Sequence, residues 1–182
     1  MGPNYNKSWR MFTPDDRQSS IPKILSALSR AEKVQADVPP MERALITALG
    51  ARFPRSSVGN PDDLSQFDYA YAKAMRSVYE TYGEDLDVMT LFADAVMCTR
   101  PRRLWDLDVG KTTGTDIDEA RAALEKSLVR ADGRNHPGLC HLYIHMMEMS
   151  PFPELALTAA DSLRRIVPDG SHMRHMARHI DT

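Results

Sequence analysis

The chain has 182 residues and a mass of 20.5 kDa. Its 42% hydrophobic and 26% charged residues exclude a disordered polymer and leave room for one domain, or a short repeat array, with a real core. With 23 basic and 25 acidic residues the formal charge is −2, so charge lends no support to a nucleic-acid partner.

The first forty residues read as an irregular segment with one helix. Lys7, Arg10, Asp15, Asp16 and Arg17 interrupt it, and no apolar run of the secretory type is present. The spacing of Ile21, Ile24, Leu25 and Leu28 predicts a helix over Ile21–Ala36, closed by Pro39-Pro40. From residue 41 to 182 the chain reads as successive helices. Met41–Phe53 puts Ala44, Leu45, Ala48 and Leu49 on one face. Arg55–Asp62 is a loop. Asp63–Tyr82 carries Leu64, Phe67, Tyr71, Ala74, Met75, Val78 and Tyr82 at three- and four-residue steps, and its tyrosines read as packing residues. Asp85–Thr99 follows. A loop over Pro101–Thr115 is expected to be anchored by Trp105, with Asp106 and Asp108 solvated or capping. Its Gly110-Lys111-Thr112 has neither the earlier glycine nor the preceding strand of a phosphate-binding loop.

The next helix, Asp116–Arg130, has Asp116 or Asp118 as its expected cap. Asn135 is expected to cap a helix reaching Met149, with Pro137 in its first turn. Asn135–Met147 is the longest stretch free of Asp, Glu, Lys and Arg. At 13 residues, with three histidines, it is too short and polar to span a bilayer, and no membrane partner is expected. Glu154–Val167 forms a helix stopped by Pro168 and Gly170, and a last helix begins near Ser171. Gly170-Ser171-His172-Met173 matches a common expression-tag remnant, but it lies inside the chain and reads as native. No alternating run rich in Val, Ile and Thr predicts a strand. Cys98 and Cys140 cannot build a disulfide framework, so a reducing, cytoplasmic setting is the expectation.

Two of these helices overlay. Ala120, Leu124 and Ser127 match Ala156, Ala160 and Leu163 at an offset of 36 residues, and Ala44, Ala48 and Ala51 repeat the same steps. The offset is close to the tetratricopeptide period of about 34 residues. The expected fold is therefore all-α: a tetratricopeptide-like array of antiparallel helical hairpins, in a short right-handed solenoid of degenerate repeats. The segments GPNYNKSW at 2–9, NHPGLCHLYIHMMEMSPFPELALTAADSLRRIVPDGSH at 135–172 and HMARHI at 175–180 resemble a group of tetratricopeptide-like proteins of bacteria and fungi. The chain departs from that group's usual pattern at Ala177, where proline is common, and at Arg178, where a small hydroxyl residue is usual. The resemblance implies a helical solenoid and names no reaction. Members are usually longer, which implies that this chain starts and stops inside the pattern. The last helix then lacks its hairpin partner and is expected to leave an apolar face exposed for self-association.

All six histidines lie between 136 and 179. At 100° per residue, His145 falls about 40° from His141, and Glu148 about 20° away on the other side, so the three form one stripe. His175 and His179 are four apart, and His172 precedes them by three. In a hairpin array the helices carrying the two groups are neighbours, so both stripes are expected to face one concave groove. Imidazoles at i and i+4 share a metal ion in helical zinc sites. The expected ligands are His141, His145, His175 and His179, for a divalent transition metal such as zinc, copper or iron. Glu148 and His141 are the candidate acid–base pair. Met146 and Met147 face away from the stripe and read as core. His141 projects about 100° from Cys140, which argues against a thiol–imidazole pair within the helix. Two functions remain open. One is a scaffold that binds a protein or peptide in the histidine-lined groove. The other is a metal- or histidine-dependent enzyme acting on a small molecule, with fungal secondary metabolism as a setting.

Overall fold

The computed structural model of the chain describes residues 3–55 and 61–180. It is mostly helical, with eight α-helices and two short strands among the described residues. No helix among them is long and apolar enough to cross a membrane. The chain forms two compact units, Met1–Gly83 and Glu84–Thr182, divided well after the residue-40 boundary read from the sequence.

The first unit contains α1 (Pro14–Val34), α2 (Pro40–Gly50) and α3 (Pro61–Tyr82). The first helix begins at Pro14 rather than Ile21. Its opening turns are polar and carry no periodicity, but Thr13 and Asp16 close a reciprocal cap. The Thr13 hydroxyl accepts from the Asp16 amide, and the Asp16 carboxylate accepts from the Thr13 amide. Trp9, Phe12, Ile21 and Leu64 form the buried core, flanked by Leu25, Phe53 and Phe67. Buried Arg52 donates to the Pro3 carbonyl at 3.0 Å and lies 4.7 Å over the Tyr71 ring. Tyr71 is buried as expected, whereas Tyr69 is 51% exposed. The loop expected over Arg55–Asp62 falls largely outside the described residues.

The second unit contains α4 (Leu86–Met97), α5 (Thr115–Leu128), α6 (Pro137–Met147), α7 (Leu157–Ile166) and α8 (Ser171–Ala177). From α4 to α8, each helix packs on the next in sequence, and α6 also packs on α4 and α8. The overlaid positions Ala120, Leu124 and Ser127, and Ala156, Ala160 and Leu163, are all buried. In the third copy of that spacing Ala48 is buried, while Ala44 and Ala51 are partly buried.

Three local features differ from expectation. A two-stranded hairpin, β1 (Trp105–Asp106) and β2 (Lys111–Thr112), stands where only loop was predicted. Its turn is built by the Asp106 carboxylate, which accepts from the Asp108 and Val109 amides, and by Gly110 at φ 67°. Trp105 anchors it: its indole N–H donates to the Met146 carbonyl at 2.7 Å. Gly114, not Asp116 or Asp118, precedes α5, and Asp116 instead pairs with Arg100 at 2.7 Å. His136, not Asn135, caps α6. A fourth difference concerns the C-terminal segment. Met176, Ala177 and Ile180 are buried, while Ser171, His172, Arg174, His175, Arg178 and His179 are exposed. The outward face of α8 is therefore polar, not the apolar self-association surface expected. Of the apolar residues of this short helix, Met176 and Ala177 turn inward and Met173 is partly buried.

Candidate metal centre

The site is built on α6 and on the C-terminal segment, α8 with the 3-10 turn Arg178–Ile180. Pro137 starts α6 in its favoured first-turn position, and the helix runs without a charged residue to Met147. Leu139, Cys140, Ile144, Met146 and Met147 are fully buried, as the wheel predicted for the two methionines. The remaining face presents His141 and His145, with Glu148 just past the helix end. Their heights along α6 are therefore set by the core behind them.

His145 is 2% exposed, His141 half-buried and His172 exposed. Ligand atoms of these three residues lie within 4.8 Å of one another. The Nε2 atoms of His141 and His172 are 3.3 Å apart. The His141 ring meets His145 and His172 edge-on, with centroids 4.7 and 5.2 Å away. The Nδ1–H of His145 donates to Glu148 Oε1 at 2.7 Å, which leaves the lone pair of His145 on Nε2. The Nδ1–H of His179 donates to the other oxygen of the same carboxylate. The Nε2 atoms of His179 and His175 are 3.1 Å apart.

Both histidine groups thus meet at one surface. They divide differently from the expected ligand set of His141, His145, His175 and His179. His172 joins His141 and His145, whereas His175 and His179 pair with each other and reach the first group through Glu148. The signal for His172 was its three-residue step to His175, which counts only if the helix includes residue 172. Because α8 begins at Ser171, it does. His136 is occupied elsewhere. Its Nδ1 accepts from the Leu139 amide, and its Nε2–H donates to Asp87 at 3.0 Å.

Burial, and then the neighbouring His145 and His172, push the His141 imidazolium down to about 4 against an opposing pull from Glu148. His172 is lowered first by desolvation, then by the other histidines. Burial raises Glu148, but its hydrogen bonds from His145 and His179 outweigh that and hold the carboxyl below the usual range. Cys140 is not a thiolate donor at neutral pH: burial drives its thiol to about 11, and its Sγ faces the Arg134 carbonyl at 3.6 Å. A cavity of about 220 Å³ opens among α5, α6 and α7, beside Tyr143, Leu155 and Ala159. No histidine lines it, so the apolar hollow and the histidine surface are separate features.

The depressed His141 value predicts a pH response in chelator-treated protein. The folded state holds this ring neutral, while the unfolded chain protonates it near its ordinary value of 6.5. Stability is therefore complete above pH 6.5 and falls as the pH drops toward 4. At pH 5 the loss is about 1–2 kcal/mol. Urea midpoints at pH 7 and pH 5 measure it, and His141→Gln should shrink the difference between them.

No protein-family model, curated protein or solved structure matches the chain.

Proposed function

We propose that residues 84–182 are a tetratricopeptide-like helical module that binds a divalent transition-metal ion through His141, His145 and His172. The observation that carries this reading is the convergence of three imidazoles from two helices within 4.8 Å. Two nitrogens bound at about 2.0–2.1 Å to a tetrahedral ion stand about 3.3 Å apart. The His141 and His172 Nε2 atoms have that separation. Glu148 orients His145 in the manner of a carboxylate behind a metal-bound histidine. His141, held near 4, is unprotonated at neutral pH, so an ion displaces no proton from it.

Imidazole donors suit zinc, copper, nickel or iron, and zinc meets the geometry without redox demands. Three protein ligands leave one tetrahedral position for water or a small molecule, as in catalytic rather than structural zinc sites. Metal-dependent chemistry on a small molecule is the activity that follows. The reading of a peptide-binding scaffold offers no reason for three nitrogens to face one point. The alternation of α4, α6 and α8 as packed neighbours supports the repeat architecture.

Zinc titration of tag-free, chelator-treated protein tests the proposal. A tight ion is expected, weakened by about 100-fold in both His141→Ala and His172→Ala. Undiminished zinc uptake in both variants, or none in the parent, would return the module to the scaffold reading.

A further inference from the structure

We infer that His175 and His179 hold a second, more exposed divalent ion, and that Glu148 serves both centres by fixing one histidine of each. The inference rests on the reading of the first centre above.

The second pair has its own geometry. Its Nε2 atoms are 3.1 Å apart and its rings stand at 89°, with centroids separated by 4.7 Å. Two imidazoles on one tetrahedral ion stand about 3.3 Å apart. With Nδ1–H of His179 given to Glu148, the lone pair of His179 lies on Nε2, on the side facing His175. Without an ion, the Nε2–H of His175 donates to the lone pair on His179 Nε2; when an ion binds, that proton passes to solvent and His175 takes one up on Nδ1, so both Nε2 lone pairs face the ion. His179 keeps its bond to Glu148, and no redox partner is required.

The pair is also held in place. His175 lies in α8 and His179 in the following 3-10 turn. Between and beyond them Met176, Ala177 and Ile180 are buried, and Arg164 donates to the Ala177 carbonyl at 2.8 Å. The backbone carrying both imidazoles is thus pinned to α7, and little ordering is left for an ion to impose. Both rings are solvent-exposed, with the His179 side chain 35% accessible. Two protein ligands in that setting leave the other positions to water, which suits a labile site for zinc or copper(II).

Glu148 distinguishes this arrangement from two unrelated sites. One oxygen accepts from His145 of the first group and the other from His179 of the second. A single carboxylate therefore selects the metal-ready tautomer on both sides.

Zinc stoichiometry, read at a free-zinc concentration that fills the parent and leaves a site weakened about 100-fold empty, tests the inference on the full chain without a tag, using the parent, His172→Ala, His175→Ala and the double variant. Two ions are expected in the parent, one in each single variant and none in the double. One ion in the parent, lost in His172→Ala and kept in His175→Ala, overturns the second site and leaves the first standing. One ion lost in both single variants overturns it in favour of one shared centre. One ion lost only in His175→Ala overturns the first reading and upholds the pair. No ion in the parent overturns both.

Discussion

In His145→Ala, zinc affinity is expected to fall by at least about two orders of magnitude, more than for any exposed histidine of the site. His145 is 2% exposed, is one of the three converging donors, and is the ring that Glu148 orients at 2.7 Å. The substitution also leaves one oxygen of a largely buried carboxylate without its N–H donor, which costs about 1–3 kcal/mol of stability. Glu148→Gln separates the two effects. Glutamine offers one oxygen and one amino group where two Nδ1–H donors converge, so it can accept from only one ring. The other ring must turn or shift its proton, which costs about 10–100-fold in metal affinity while all three nitrogens of the first centre remain. Calorimetric zinc titration, with circular dichroism to verify the fold, checks both variants. Equal affinity in the parent and Glu148→Gln would contradict the orienting role.

Phe92→Ala is expected to lower the stability of the second unit by about 3–5 kcal/mol. Phe92 is fully buried in α4, which packs on both α5 and α6. Because α4 packs on α6, the helix that carries His141 and His145, zinc affinity should fall with stability. Urea unfolding followed through Trp105 in a Trp9→Phe background reads this unit without the first. A loss below about 1 kcal/mol would mean that α4 does not share a tightly packed core with its neighbours.

The helices were legible wherever burial imposed a period. Tyr71, Met75 and Val78 on α3, and Val88, Met89, Phe92 and Val96 on α4, recur at helical steps and are buried. The start of α1 was not legible that way, because its opening turns over Pro14–Ser20 present no apolar face. Only the cap formed by Thr13 and Asp16 marks it. The Trp105 hairpin was illegible for a related reason. Its strands are two residues long, too short for alternation, and tertiary contacts hold it down, among them the Trp105 bond to the Met146 carbonyl and the Thr112 bond to Asp118. Histidine spacing was enough to bring the two groups to one surface. It could not assign partners, because whether His172 or His175 faces His141 depends on where α8 begins and how it packs against α6. The same limit hid His136, whose sequence neighbourhood resembles the other histidines but whose two nitrogens serve a helix cap and Asp87.

The most direct measurement is anomalous diffraction at the zinc edge, from crystals of the tag-free chain prepared with one equivalent of zinc. The account predicts a peak about 2.0–2.1 Å from a nitrogen of each of His141, His145 and His172. A peak remote from all three histidines, or none at an equivalent that the protein has bound, would contradict it.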